Sequence, residues 1–480
     1  MTRRHRSSVL GIATIAVAGM IVVSQSDGAA QRESVTLTNI PHVRQKPDFC
    51  GEACAEMYLR KLGIAGDQDS VFDASGLDPL LGRGCYTRDL MQALRKIGFQ
   101  TGPVWGSVKA EEAAAGLESE LAAIRSDLER GFPSIICTHF DERPGATEHF
   151  RLIVGYDAEK DELLYHDPAV KDAAYRRMSK DRLFELWPLK YRPEVWTVIR
   201  ISLAHESLHP APPASTFTNA DYAQHILNRR SQLPEGMHYV IEAPFLVIGD
   251  EEPDVVRKRA KNTVHWAVER LQREYFAKDP SEIIDIWLLG GTASYEEQAE
   301  RLTGRKPTTP FGFYSPSEKV LVMNISTGGG TLVHEIVHPF IESNFPDCPS
   351  WFNEGLASLY EQSASDREGR ICGLTNWRLA GLQKAIQGGK VPSFETLCST
   401  TTNEFYHEDP GTNYSQARYL CYYLQERGLL GKYYREFVQN VDSDPTGYKT
   451  LQGVLGVDDM AAFQKQWEAE VLKLRFGDGE

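Results

Sequence analysis

The chain has 480 residues, 41% of them apolar and 25% charged, a balance that allows two or three ordinary globular cores. Its net charge is -14, which repels phosphate backbones, and no dense basic stripe offsets it, so nucleic acid is not an expected partner.

Residues 1–30 are the first predicted element. Arg3, Arg4 and Arg6 precede an apolar run from Val9 to Val23, and the small residues Gly28, Ala29 and Ala30 follow. That is the charge, core and cleavage-site order of a secretory signal, and about fifteen apolar residues fall short of the roughly twenty that span a bilayer. The expectation is a secreted or periplasmic protein with no stable membrane span after cleavage. Residues 31–203 then read as α+β. Helices are predicted near Gly51–Leu62, Thr87–Ile97 and Ala110–Arg130, followed by strands at Pro133–Thr138, His149–Tyr156, Glu162–His166 and Val195–Ile201. A Pro-rich linker, 204–218, contains His209–Ser215, which can form neither helix nor sheet. Residues 219–480 make the second domain. Strands near Tyr239–Ile248, Ile283–Leu289 and Val320–Asn324 alternate with helices, and from Thr331 onward the pattern is almost entirely helical.

Eight cysteines divide into Cys50, Cys54, Cys85 and Cys137, then Cys348, Cys372, Cys398 and Cys421. An even count in an exported chain suggests disulfides. If Cys50 stays free as a nucleophile, Cys54–Cys85 is the expected bridge of the first half, and Cys137 a buried thiol.

The strongest motif is His334-Glu335-Ile336-Val337-His338 on a helical background. Histidines one turn apart project from one helix face, which suits two ligands of a tetrahedral zinc, and the intervening glutamate can act as general base toward the water such a metal activates. Glu354, in Trp351-Phe352-Asn353-Glu354-Gly355-Leu356-Ala357, is the candidate third ligand. Pro339 directly follows His338, and proline removes a helical hydrogen bond and disfavours α conformation before it, so the helix is expected to kink or end there. Residues 216–480 resemble a gluzincin (thermolysin-like) zinc metallopeptidase domain, on the His-Glu-x-x-His helix, the Glu354 helix and the apolar strand Lys319–Asn324 ahead of them. The resemblance implies Zn2+ held by His334, His338 and Glu354, with Glu335 activating water. It also implies that the 319–324 strand holds extended substrate along the cleft by edge pairing. Tyr414 is the preferred oxyanion donor by the same resemblance, with Tyr406 and His407 nearby; packing the following helix is the plainer role for its ring.

A second constellation lies in the first half. Cys50 opens a predicted helix, a position that lowers a thiol pKa, with Gln45 five residues before it. His149 enters a strand as a candidate base, and Asp167 could orient its imidazole. Gln45 could hold an oxyanion together with the Cys50 N–H. Residues 36–202 resemble the papain-like cysteine peptidases that remove double-glycine leader peptides during bacteriocin processing, and most nearly stand-alone, exported relatives of them. The likeness rests on Gln45…Cys50-Gly51, the Ala53–Leu62 helix, the His149–Asp157 strand and Asp167-Pro168. The same Cys-His-Asp order also serves amide transfer, where Gln45 argues for the peptidase. The expectation is therefore an exported two-domain peptidase acting on peptide or protein substrates. The alternative is a peptide- or cell-wall-binding protein in which one or both sites are inactive.

Overall fold

A computed structural model describes residues 33–212 and 216–476. The predicted leader lies outside the described residues, and among these no helix is long and apolar enough to cross a membrane. The described chain forms two compact units, one of residues 33–76 and 84–212, the other of 77–83 and 216–476. The first unit runs past the start of the expected linker at 204, and residues 77–83, expected in the first domain, belong to the second unit. Ala204–His205 still pairs with Phe99–Gln100 in the first unit, while residues 209–212 have no regular structure.

In the first unit α1 (Cys50–Lys61), α2 (Thr87–Ile97) and α3 (Ala113–Glu129) precede most of an antiparallel sheet. Its strands are β1 (Val35–Thr36), β2 (Trp105–Lys109), β3 (Ser134–His139), β4 (Glu148–Asp157), β5 (Glu162–His166), β6 (Arg176–Ser179) and β7 (Val195–Ser202). Their order is β2-β7-β3-β4-β5-β6, with β1 on β4. The central strands are buried along nearly their whole length, as expected of a sheet covered on both faces. Ile136, Ile153, Leu163 and Val198 pack with Leu117, Leu121 and Ile124 of α3.

The second unit has a five-stranded sheet of β8 (His238–Glu242), β9 (Phe245–Gly249), β10 (Ile284–Leu289), β11 (Gly312–Ser315) and β12 (Val320–Asn324), in the order β8-β9-β10-β12-β11. The single strand expected at 239–248 is a hairpin, β8 and β9, because Ala243-Pro244 turns the chain. Alternation places Val247, Ile286 and Met323 on one face, in the core shared with the helices. Ile248, Trp287 and Val322 face a separate cluster on the other side. Beyond the sheet the unit is mostly helical, beginning with α4 (Gly330–Asn344) and α5 (Ser350–Leu359) and continuing through α6 (Arg378–Gln387), α7 (Thr402–His407) and α8 (Pro410–Glu426).

Three expectations are corrected. Helix α4 does not end at Pro339 but runs on to Asn344, since its apolar residues Ile336, Val337, Phe340 and Ile341 are anchored in the core. Strand β12 is not an edge: β10 flanks it on one side and β11 on the other, so β11 is the edge strand of that end. The Cys54–Cys85 bridge is not formed, and all eight cysteines are free thiols. Cys54 lies inside the buried face of α1, whereas the Cys85 segment is tied to the side chain of Glu52.

Candidate functional sites

In the first unit Cys50 is the first residue of α1. Gly51 is required behind it, since a Cβ there would stand 2.5 Å from Leu90 Cδ2 and 3.1 Å from Phe150 Cδ2. The thiol meets the backbone of Phe150, the residue after His149 on β4. His149 Nε2 and Asp167 Oδ1 are 2.8 Å apart, both buried, which leaves Nδ1 as the ring nitrogen not engaged by the aspartate. Gln45 joins the same group, because its backbone N–H donates to Pro168 O at 2.9 Å while its buried Oε1 has no partner. All four residues singled out in the sequence therefore belong to one locality.

Sequence reasoning missed Arg151. It lies two residues after His149 on the same strand face, and its Nε donates to Asp167 Oδ2 at 3.2 Å. Its remaining donors reach Thr138 Oγ1 and the carbonyls of His139 and Phe140. The available signal was a charged residue alternating with a histidine in an otherwise apolar strand. Glu52 was missed as well. It is fully buried, accepts the Cys85 N–H at 2.7 Å, and burial raises its carboxyl to about 7.

The surroundings of Cys50 work against the activation expected from the helix N-terminus. Burial pushes the thiol up to about 12; the backbone of Phe150 opposes the rise, and the carboxylates of Glu52 and Asp48 add to it. Burial also lowers His149, against the pull of Asp167. Both shifts favour the uncharged form of their group. Iodoacetamide at pH 7 should alkylate Cys50 at least about tenfold more slowly than a free cysteine, followed by peptide mass spectrometry. A faster reaction would show a thiolate already formed.

In the second unit His334, His338 and Glu354 each offer a ligand atom within 4.8 Å of the others. Because α4 stays helical through Pro339, both rings remain on one face, 4.9 Å between centroids. Glu354 comes from α5, with its Oε2 3.3 Å from His334 Nε2. Gly355 lets α8 approach α5, a Cβ there lying 3.1 Å from Ala417 O. Each histidine has its Nδ1 toward an acceptor: His338 meets Asn353 Oδ1 at 2.9 Å, and His334 lies 3.4 Å from Glu361 Oε1. Nε2 of each is thereby left toward the shared point. Glu361, unforeseen in the sequence, follows the end of α5. Its carboxylate is gripped by Arg378 at 2.7 and 2.9 Å and by Asn376 at 2.9 Å. Gly330 makes room for it, since a Cβ there would sit 2.1 Å from Glu361 O.

The donor set suits a cation. Glu354 Oε2 is a buried oxygen with no hydrogen-bond partner. Burial alone would lower the His334 imidazole, yet Glu354, Glu361 and Glu335 raise it to about 10. Burial would raise Glu354, yet His338, His334 and Tyr406 hold it at about 2. Glu335 is outside the ligand set; its Oε2 accepts the Tyr314 N–H at 2.9 Å and lies 3.9 Å from His338 Nε2. Tyr406 OH donates to Glu354 Oε1 at 2.6 Å. Tyr414 lines the same cleft, its ring under the Arg378 guanidinium at 5.0 Å.

Comparison with known proteins bears on the first unit. No curated protein matches the chain. Among solved structures, the peptidase domain of Streptococcus ComA, a bi-functional ABC transporter involved in a quorum sensing pathway, is similar over 34% of this chain and 98% of that one, at 17% identity and a TM-score of 0.23. A family model described as "Peptidase_C39 like family" matches residues 37–192, the stretch that carries Gln45, Cys50, His149 and Asp167. The described chain is α+β with a largely helical later part, and the match over residues 37–192, to a Peptidase_C39-like family, supports a cysteine peptidase function for the first unit.

Proposed function

We propose that the chain hydrolyses peptide bonds at two separate sites, one built on Cys50 and one of gluzincin type built on His334, Glu335, His338 and Glu354. The observation that carries the second is the convergence of two imidazoles and a buried, unpartnered carboxylate oxygen within 4.8 Å. His334, His338 and Glu354 would hold zinc, a fit for two nitrogens and one oxygen. When bound, the metal polarises the substrate carbonyl and the attacking water. Glu335 then takes the proton of that water, its carboxylate oriented by the Tyr314 N–H. Asn353 fixes the His338 tautomer, Glu361 faces His334 Nδ1, Tyr406 steadies Glu354, and Tyr414, lining the same cleft, would turn its hydroxyl to the developing oxyanion. In the first unit Cys50 attacks the carbonyl and His149 Nδ1 receives its proton. Asp167 holds the ring by Nε2, and Gln45 supplies the oxyanion donor.

A Cys50→Ala chain separates the two. Its remaining peptide hydrolysis should vanish with a chelator and return with added zinc. Activity indifferent to the chelator would remove the metal reading. One feature favours a second reading for the first unit, a peptide-binding domain with a dormant nucleophile: the half-buried Cys50 thiol stands near the carboxyls of Glu52 and Asp48, which disfavour its thiolate.

A further inference from the structure

We propose that Arg151 is a positioning residue of the cysteine site, fixing the Asp167 carboxylate toward His149 and holding the backbone of Phe140 so that its ring stays against the same imidazole. This rests on the cysteine-peptidase reading of the first unit. It adds to that site a residue that acts through its neighbours rather than on the thiol or the substrate.

Alternation along β4 puts His149 and Arg151 on one face. Both side chains are buried, as is Asp167. Arg151 Nε donates to Asp167 Oδ2 at 3.2 Å, while His149 Nε2 lies 2.8 Å from Oδ1. Each carboxylate oxygen therefore has its own buried partner, and the Ala169 N–H adds a contact to Oδ1 at 3.1 Å. The carboxylate cannot turn away from the imidazole without also leaving the guanidinium. The rest of the guanidinium reaches the end of β3 and the residue after it. Nη1 donates to Thr138 Oγ1 and, at 3.2 Å, to His139 O, and Nη2 donates to Phe140 O at 2.8 Å. The Phe140 ring stands edge to face with His149, 5.2 Å between centroids, and the Arg151 guanidinium lies 5.7 Å from that same ring. A planar fork serves these four partners at once, which the single nitrogen of a lysine cannot.

Charge gives the arrangement a consequence beyond packing. An aspartate beside a buried imidazole favours the imidazolium, which has no lone pair for the Cys50 proton. A guanidinium on the far oxygen offsets that charge, so Asp167 orients the ring without holding it protonated. The directions agree: burial lowers the imidazole, Asp167 raises it, and Arg151 lowers it again. The other elements packed here bring few charges. Strand β3 sets the neutral Thr138 opposite His149, and α1 brings Cys50 to the backbone of Phe150 and Cys54 near Asp167 and Arg151. His42 meets the Asp167 carbonyl at 2.8 Å, and Glu148, beside His149 on the other face of β4, accepts the Tyr191 hydroxyl at 2.5 Å.

The test uses the full chain with isotope-labelled histidines, the His149 signal being assigned by its loss in His149→Gln. Arg151→Met removes the charge, and Arg151→Lys keeps the charge but removes the fork. In Arg151→Met the His149 titration, followed by NMR, should move up by at least about one pH unit, and the acid limb of chelator-resistant kcat/KM should move up with it. In Arg151→Lys the titration should stay near that of the wild-type chain. The neutral ring, however, should divide between its two tautomers, and kcat/KM should fall at least about tenfold. An unmoved titration in folded Arg151→Met, or a single Nε2–H tautomer in Arg151→Lys, overturns the proposal. Should Arg151→Met not fold, the tautomer in Arg151→Lys decides alone. Both NMR changes without any chelator-resistant hydrolysis would sink the peptidase reading but leave this one standing, and hydrolysis with neither change does the reverse.

Discussion

A Glu335→Gln chain is expected to retain about one zinc and lose peptide hydrolysis by roughly 10²–10⁴-fold, whereas His334→Ala loses both. Glutamine has the shape of glutamate, and its amide oxygen can still accept the Tyr314 N–H at 2.9 Å, so the local packing survives. It cannot take a proton from water at neutral pH, which is the function assigned to Glu335. His334 is different in kind. Its ring lies 3.3 Å from Glu354 and 3.4 Å from Glu361, so removing it leaves two buried carboxylates without the positive partner they share. The His334→Ala chain should also unfold at lower urea than Glu335→Gln. Metal content by mass spectrometry, with turnover in the Cys50→Ala background, decides the matter. Loss of zinc from Glu335→Gln would make that residue a ligand rather than a base.

The second large effect is expected from Asp167→Asn in the cysteine site. The aspartate serves two buried donors at once, His149 Nε2 at 2.8 Å and Arg151 Nε at 3.2 Å, and also accepts the Ala169 N–H at 3.1 Å. Asparagine has one acceptor oxygen and places an NH2 against a donor. Either His149 changes tautomer and can no longer take the Cys50 proton at Nδ1, or Arg151 is left buried without its counter-charge. Chelator-resistant kcat/KM should fall by roughly 10³–10⁴, and stability by about 3 kcal/mol. The pH dependence follows from the sign of the shift. Burial raises the Asp167 carboxyl, but His149 and Arg151 outweigh it and hold it at about 2. A depressed folded pKa contributes stability fully present above the unfolded value of about 3.9, and lost as pH falls through about 2. The gap in urea midpoint between the wild-type chain and Asp167→Asn should therefore be constant above about pH 5 and narrow between pH 4 and 2. A gap equally wide at the acid end would mean that the loss is steric rather than electrostatic.

By itself the sequence determined the local chemistry. Spacing along a helix is set by backbone hydrogen bonds between near neighbours, so His334 and His338 had to share a face wherever α4 packed. The same holds for Cys50 at the start of α1 and for the apolar strands that carry His149 and precede Asp167. What only the tertiary structure decided depends on partners far along the chain. Core anchoring from Ile336 to Ile341 carried α4 past Pro339 against the local preference of proline. Strand order, which no single strand encodes, put β11 rather than β12 at the sheet edge. Burial and the nearby carboxyls of Glu52 and Asp48 oppose the helix N-terminus at Cys50. Glu361 and Arg378 reached His334 through a turn and a separate helix. Desolvation and long-range packing are properties of the assembled fold, and they set the charge state and the orientation of groups whose identity the sequence had already fixed.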